Sequence, residues 1–77
     1  MSIKVRYFAS LKERIGRAEE DAAIAEPVTA KALWRQCVPE LPPPEQILVA
    51  INLEYADWDS LVRDGDEVAF FPPVTGG

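Results

Sequence analysis

The chain has 77 residues, of which 48% are hydrophobic and 27% charged, a composition that indicates one small folded domain rather than a disordered or fibrous protein. Its 13 acidic and 8 basic side chains give a net charge of -5 with no run of Lys or Arg that could neutralise phosphates, so no nucleic acid partner is expected. The single cysteine excludes an internal disulfide, and the lack of histidine leaves a zinc site without its usual ligands. Because the sequence has no long apolar run, we expect a cytoplasmic protein with no membrane partner.

The first predicted element is a strand over residues 2–8. Its side chains alternate, with Ile3, Val5 and Tyr7 on one face. Lys4, Arg6 and Phe8 fall on the other face. Residues 9–15 then place apolar side chains four apart and stop at Gly16, which predicts a short helix or turn.

The middle of the chain predicts an edge strand followed by the main helix. Residues 18–25 are acidic and then alanine-rich, with Ala22 and Ile24 as the inward pair. Thr29 is a suitable N-cap for the helix that follows, which Pro39 ends. The apolar stripe of this helix consists of Ala30, Leu33, Trp34, Cys37 and Val38.

Four prolines within residues 39–44 predict an extended connection inside the domain. A strand over residues 47–53 is predicted to be central, followed by a loop with Tyr55 and Trp58 and by a turn at residues 64–66. The inward side chains of the predicted central strand are Ile47, Val49, Ile51 and Leu53. The last strand, 67–71, has Val68 and Phe70 on one face. One amphipathic helix over a small mixed sheet predicts an α+β domain of the ubiquitin-like β-grasp type over residues 1–71.

Residues 72–77 read Pro72-Pro73-Val74-Thr75-Gly76-Gly77 and predict a flexible tail. The prolines remove backbone donors, so the tail leaves the sheet, and six extended residues reach about 20 Å. Gly76 and Gly77 carry no Cβ and can thread a narrow channel in a partner. The tail therefore predicts that the carboxylate of Gly77 acts in another protein's active site, although a frayed end would look the same.

A free carboxylate is ionised at neutral pH and is a poor electrophile. Chemistry at Gly77 therefore requires an activating enzyme that converts it to a mixed anhydride, and adenylation by ATP is the obvious route.

The end of the chain, DGDEVAFFPPVTGG over residues 64–77, closely resembles the molybdopterin synthase small subunit family. Residues 3–9, IKVRYFA, followed by Glu13 and Gly16, are similar to that family too, as are residues 50–52. The resemblance thus spans nearly the whole chain, and its most specific part is the last fourteen residues.

The resemblance implies a sulfur carrier that is not an enzyme on its own and holds no tightly bound cofactor. Gly77 would be adenylated by a ubiquitin-activating-like adenylyltransferase and converted to a thiocarboxylate by a sulfurtransferase. The loaded tail would then enter the large catalytic subunit, in an assembly of two small and two large subunits. There it would give its sulfur to cyclic pyranopterin monophosphate to make the dithiolene of molybdopterin.

The resemblance also implies the residues that contact the partner. The family docks through apolar residues on the sheet face near the tail, and the matching positions here are Phe8, Tyr55 and Phe71. Tail residues 72–75, Pro72, Pro73, Val74 and Thr75, are assigned to the same interface. The alternation of the strands independently puts Phe8 and Phe71 on the face away from the helix.

Four other interpretations arise from the residues. The same tail chemistry would serve a sulfur carrier for thiamine or another thiolated product, or a protein modifier whose Gly77 forms isopeptides with lysines. Cys37 could relay sulfur, but its place on the apolar stripe predicts a small core residue. The spacing of Asp57, Asp59, Asp64 and Asp66 is not that of a calcium loop and predicts solvated turn acids.

Overall fold

The computed structural model describes residues 2–41 and 46–73. In chain order the elements are β1 (Ser2–Tyr7), α1 (Ala9–Ile15), β2 (Glu19–Ala23), β3 (Val28–Thr29), α2 (Ala30–Cys37), β4 (Leu48–Ile51), β5 (Glu54–Ala56), β6 (Leu61–Val62) and β7 (Glu67–Phe71). The predicted end of α1 is confirmed, because Gly16 takes a φ of 85° there and donates its N–H to the carbonyl of Lys12 at 2.9 Å. Residues 42–44 of the predicted proline connection lie outside the described residues.

The main sheet has five strands in the order β2-β1-β7-β4-β5, with β1 and β7 parallel and the other neighbours antiparallel. The prediction of an edge strand near residues 18–25 is confirmed by β2. The prediction of a central strand within residues 47–53 is confirmed by β4, which pairs with β7 on one side and β5 on the other, although β4 ends at Ile51 and β7 holds the middle position of the sheet. The short strands β3 and β6 form a second, two-stranded sheet that the sequence pattern did not predict.

Helix α2 covers one face of the main sheet and completes the predicted β-grasp. Its N-cap is confirmed, since the Thr29 hydroxyl accepts a hydrogen bond from the Ala32 N–H at 3.0 Å. Ala30, Leu33 and Trp34 are buried beneath it, as the predicted stripe requires. The largest fully buried side chains are Trp34, Tyr7, Phe70, Ile3, Leu33, Val5, Val38, Val49, Val62 and Val68.

Four aromatic rings form the centre of this core. Trp34 of α2 meets Tyr7, Phe70 and Trp58 edge-on, with ring centroids 6.5, 5.0 and 5.8 Å away. Trp58 also stacks on Phe70 at 5.5 Å. The indole N–H of Trp34 donates to the carbonyl of Leu41 at 3.0 Å, so this ring also secures the chain beyond α2. Edge-to-face geometry adds to the burial of apolar area, and the cluster therefore ties helix to sheet.

The segment after β4 departs from the sequence prediction. Asn52 and Leu53, with φ of 51° and 70°, form a two-residue turn between β4 and β5, as a type I′ hairpin requires. Leu53 was predicted to point inward, but it is 89% exposed at the tip of this hairpin. Tyr55 was predicted in a loop and instead lies on β5, opposite Ala50. The prediction failed because the alternation of apolar residues along β4 continues in the sequence through Leu53, although the backbone turns there.

Hydrogen bonds of Asn52 with Asp66 and Glu67 hold this hairpin against the start of β7. The Asn52 amide donates to Asp66 Oδ1 at 3.0 Å and accepts from the Glu67 N–H at 3.0 Å. The Asn52 N–H donates to the Glu67 carbonyl at 2.8 Å, and Asp66 Oδ2 accepts from the Arg63 N–H at 2.8 Å. Asn52 thus provides hydrogen-bond partners for backbone and side-chain groups at two separate turns, which would otherwise lack them.

These contacts predict how stability depends on pH. Hydrogen bonds from the Arg63 N–H and then from Asn52 lower the pKa of Asp66 in the folded state. A lowered folded-state pKa contributes stability above the unfolded pKa of about 4, and this is lost as pH falls through the folded pKa. We expect Asp66→Asn to reduce the free energy of unfolding at pH 6 by about 1 kcal/mol, as for loss of a charge-assisted hydrogen bond.

Urea unfolding at pH values from 6 down to 2 measures the difference in free energy of unfolding between wild type and Asp66→Asn. We expect this difference to become smaller as the pH is lowered. Asp59→Asn is the matched control, since within the described residues the Asp59 carboxylate accepts no hydrogen bond. A difference between wild type and Asp66→Asn that stays constant or grows toward low pH would contradict the assignment.

Neither helix in the described part of the chain is both long enough and apolar enough to cross a membrane.

Candidate docking surface at the root of the C-terminal tail

The parallel pairing of β1 and β7 brings Phe8 and Phe71 to the same end of the sheet, where both strands finish. Tyr7 pairs with Phe70, and the Phe8 N–H donates to the Phe70 carbonyl at 3.2 Å. Because Tyr7 and Phe70 point into the core, the next residue on each strand points to the opposite, outer face. Strand β7 ends at Phe71, so both rings lie where the chain leaves the sheet toward Gly77.

Tyr55 joins these two residues through the register of β4. Ala50 pairs with Ala69 of β7 on one side and with Tyr55 of β5 on the other. The Tyr55 and Phe71 rings lie 6.0 Å apart at 49°. Phe8, Tyr55 and Phe71 therefore line a single groove of about 450 Å³, floored by the two alanines, which we call the outer-face groove. The structure brings together the three residues predicted to contact a partner, while their binding role stays a prediction.

Exposed apolar side chains are concentrated at this face. Tyr55 is 80% exposed, Leu53 89% and Phe8 44%. Leu48 pairs with Phe71 and adds a further exposed side chain beside the groove. Such a cluster of apolar side chains is typical of a protein interaction site, whereas singly scattered ones are ordinary. The predicted interface did not include Leu48 or Leu53. Leu48 could be placed beside Phe71 only once the pairing register of β4 with β7 was known. Leu53 was assigned to the strand rather than to the turn that follows β4.

One end of the outer-face groove is charged. Arg6 Nε lies 3.2 Å from Glu67 Oε1 and 3.7 Å from Glu19 Oε2. All three side chains are partly solvated, so these ion pairs contribute little to the stability of the fold. They give the apolar groove a polar rim, the arrangement common at protein interfaces.

Pro72 and Pro73 continue from β7 along a second, smaller groove of about 290 Å³. Its other lining residues include Leu11 and Arg14 of α1 and Ile47 ahead of β4. The two prolines thus start the tail on the side of α1. The remaining predicted site residues, Val74, Thr75, Gly76 and Gly77, lie outside the described residues, and their roles stay predictions.

Cys37 is packed against the core, as predicted for a residue on the helix stripe. Burial, with a smaller contribution from the charge of Glu20, raises the pKa of its thiol to about 11. Arg17 and Tyr7 both donate to Glu20 Oε2, at 2.7 and 2.8 Å, and Arg17 also donates to the Cys37 carbonyl at 2.8 Å. The thiol is protonated at neutral pH, which suits a packing role better than a sulfur relay.

Within residues 2–41 and 46–73 no three His, Cys, Asp or Glu side chains form a group that could hold a metal ion. Two of the four aspartates considered above have structural partners: Asp66 accepts from Asn52 and Arg63, and Asp64 accepts from the Ser2 N–H at 2.7 Å.

Comparison with known proteins shows which family this chain is similar to. The model of the ThiS family matches residues 5–77. The molybdopterin synthase sulfur carrier subunit of Haemophilus influenzae is 40% identical, over 97% of this chain and 99% of the relative. The predicted resemblance to this family is confirmed over nearly the full length.

Solved structures support the same fold. SAMP1 of Haloferax volcanii covers all of both chains with a TM-score of 0.83 and 26% identity. A complex of subunits 1 and 2 of molybdopterin-converting factor from Helicobacter pylori contains a chain that matches at a TM-score of 0.66 and 25% identity, again over all of both chains. The ubiquitin-like β-grasp prediction is confirmed by these neighbours and by the sheet order.

Proposed function

The chain belongs to the ThiS family, and we propose that it is the sulfur carrier subunit of a molybdopterin synthase, with the carboxylate of Gly77 as the group that carries sulfur. The observation that carries this proposal is the outer-face groove, whose apolar walls include Phe71, the residue at which β7 ends and the chain leaves the sheet. A carrier needs both a carboxylate that reaches another active site and a surface that holds its domain beside that site. The outer-face groove is proposed to supply the surface, and the six residues from Pro72 to Gly77 are proposed to supply the reach.

The proposed chemistry begins with activation of the Gly77 carboxylate. An adenylyltransferase of the ubiquitin-activating type joins it to AMP and releases pyrophosphate from ATP, which creates a good leaving group. The terminal sulfur of a sulfurtransferase persulfide then attacks the acyl carbon and AMP departs. A thiol reductant cleaves the resulting acyl disulfide, so that the thiol is oxidised to a disulfide and a thiocarboxylate remains on Gly77. No cofactor bound to this chain is required, because ATP and the sulfur donor act from the partner enzymes.

Transfer is proposed to occur in the large subunit of the synthase, with two small and two large subunits in the assembly. The thiocarboxylate sulfur attacks a side-chain carbon of cyclic pyranopterin monophosphate, and the new carbon–sulfur bond replaces a carbon–oxygen bond there. A second loaded carrier repeats the step at the neighbouring carbon, because the dithiolene contains two sulfurs. Water then cleaves the acyl–sulfur bond, so the product keeps the sulfur and Gly77 regains its carboxylate. The known complex of subunits 1 and 2 of molybdopterin-converting factor from H. pylori supports pairing with a large subunit.

Docking through the outer-face groove predicts a specific loss on substitution. Phe71→Ala removes a ring that lies at the tail root and contacts Tyr55. We expect at least about 30-fold weaker binding to the large subunit, the effect of truncating an aromatic anchor. Isothermal titration calorimetry measures the affinity, and a thermal melt verifies that the variant is folded.

Leu61→Ala is the control for this prediction, since Leu61 is a 51% exposed side chain on β6, outside the main sheet. It should bind the large subunit as wild type does. Equal affinities of Phe71→Ala and wild type would contradict docking through this face.

A protein modifier is the second candidate function, because the structural likeness to SAMP1, a small archaeal modifier protein, is high. In that case a lysine amine attacks the adenylated Gly77 and forms an isopeptide, with no sulfur required. The two functions share activation and differ in the nucleophile. Conjugates of higher mass that contain the chain would favour the modifier.

Reconstitution tests the synthase role. The chain is prepared as the Gly77 thiocarboxylate, mixed with the large subunit from its own organism, and supplied with cyclic pyranopterin monophosphate. We expect formation of the dithiolene product in proportion to the thiocarboxylate added, and none with the carboxylate form. Failure of the loaded chain with a large subunit that is otherwise competent would contradict the proposal.

A further inference from the structure

Leu53 occupies a backbone conformation that leucine disfavours. Its φ of 70° lies in the left-handed region, where a Cβ crowds the following carbonyl oxygen. Type I′ turns prefer Asn-Gly, and here the glycine position is taken by a large apolar residue that is 89% exposed. Neither burial nor turn preference accounts for a leucine at this position.

The surrounding structure holds the strained turn in place. Three hydrogen bonds join Asn52 to Asp66 and Glu67, between 2.8 and 3.0 Å long, so the tip cannot relax without breaking them. Strain that is maintained by such contacts is commonly found at binding sites. The Leu53 side chain is thereby presented on a rigid support, which lowers the entropy lost on binding.

The position of Leu53 suggests what it binds. It lines the outer-face groove together with Phe8, Tyr55 and Phe71, and so extends the apolar surface away from the tail root. We propose that Leu53 is a further docking anchor that inserts into an apolar pocket of the synthase large subunit, an inference that rests on the proposed function. The anchor lies at the opposite end of the β4–β7 pairing from Phe71, and it therefore fixes the direction of the domain relative to the end of β7.

Charge distinguishes this occupant from a second copy of the chain. Three acidic side chains surround the turn, Glu54, Asp66 and Glu67. Two basic side chains face them, since Arg6 pairs with Glu67 at 3.2 Å and Lys4 lies opposite Glu67 on β1, so the hairpin tip keeps a net negative charge. A symmetric dimer through this face would bring the same surface of two chains together, each with a net charge of -5, and this like charge opposes the pairing. The fitting partner therefore has an apolar pocket with basic side chains at its rim.

Leu53→Gly and Leu53→Asn test the inference, because both residues accept a positive φ. We expect each to bind the large subunit about tenfold more weakly, as for truncation of an apolar anchor, while its melting temperature stays equal to that of wild type or rises. Leu61→Asn is the matched control and should keep wild-type affinity. Calorimetric titration into purified large subunit and thermal melts of the chain alone measure the two quantities.

Loss of affinity without loss of stability supports the inference. If wild type binds the large subunit and both Leu53 variants bind equally well, the inference is overturned while the proposed function stands. If wild type itself does not bind, the proposed function falls and the inference with it. A wild-type dimer that Leu53→Asn disperses, together with unchanged binding to the large subunit, would assign the anchor to a second copy and overturn the proposal.

Discussion

Removal of Gly77 is expected to abolish sulfur delivery while leaving the affinity for the large subunit close to that of wild type. The shortened chain still ends in a glycine carboxylate, but that carboxylate lies about 3.3 Å short of its place in each active site. A misplacement of about 1 Å already costs about 100-fold in rate, so a larger loss is expected at both adenylation and transfer. The walls of the outer-face groove, Phe8, Tyr55 and Phe71, are unchanged in this variant.

The measurement compares product formation with binding for the same shortened protein. Gly77→Ala is the informative control, because it keeps the length of the tail and adds only a Cβ to the terminal residue. We expect Gly77→Ala to retain more activity than the deletion if reach is decisive, and as little if the channel admits only glycine. Retention of full activity after deletion of Gly77 would refute the mechanism.

Trp34→Ala is expected to remove a large part of the stability of the domain. Trp34 is fully buried and meets three aromatic rings, and its indole N–H is paired with Leu41. Truncation of such a residue costs roughly 3–5 kcal/mol, against a total stability of roughly 4–12 kcal/mol for a domain of this length. The melting temperature should therefore fall by more than about 12 °C.

Two further variants separate the contributions to this effect. Trp34→Phe keeps a ring and loses the hydrogen bond to Leu41, and a cost of about 1–3 kcal/mol is expected from the carbonyl left without its partner. Trp58→Ala removes a half-buried ring from the same cluster and should cost less than Trp34→Ala. Urea unfolding of the three variants gives the order, and a loss below about 1 kcal/mol for Trp34→Ala would contradict the view of this ring as the centre of the core.

The elements with a clear period were predictable from the sequence. The alternation of β1 and the stripe of α2 assigned buried side chains such as Val5, Tyr7 and Leu33 correctly, because one face of each element meets the core. The same alternation placed Phe8 and Phe71 on the outer face. Their proximity to each other depends on parallel pairing of β1 with β7, which no local pattern encodes.

The errors occurred where local pattern and backbone geometry disagree. Leu53 continues the alternation of β4, yet Asn52 and Leu53 both have positive φ and reverse the chain. Because Leu53 replaces the usual glycine, the turn carried no sequence signal, and β5 with Tyr55 was missed. The strands β3 and β6 have two residues each, too few to show a period, so the burial of Val62 was not foreseen.

The central claim is that Gly77 carries sulfur, and the mass of the intact chain tests it most directly. The protein is isolated from its native cell under conditions that preserve thiocarboxylates, and its mass and that of its C-terminal peptide are measured. We predict a fraction of chains in which one oxygen of the Gly77 carboxylate is replaced by sulfur, increasing when the large subunit is absent. A chain found only as the free carboxylate, or as isopeptide conjugates to lysines, would contradict the claim.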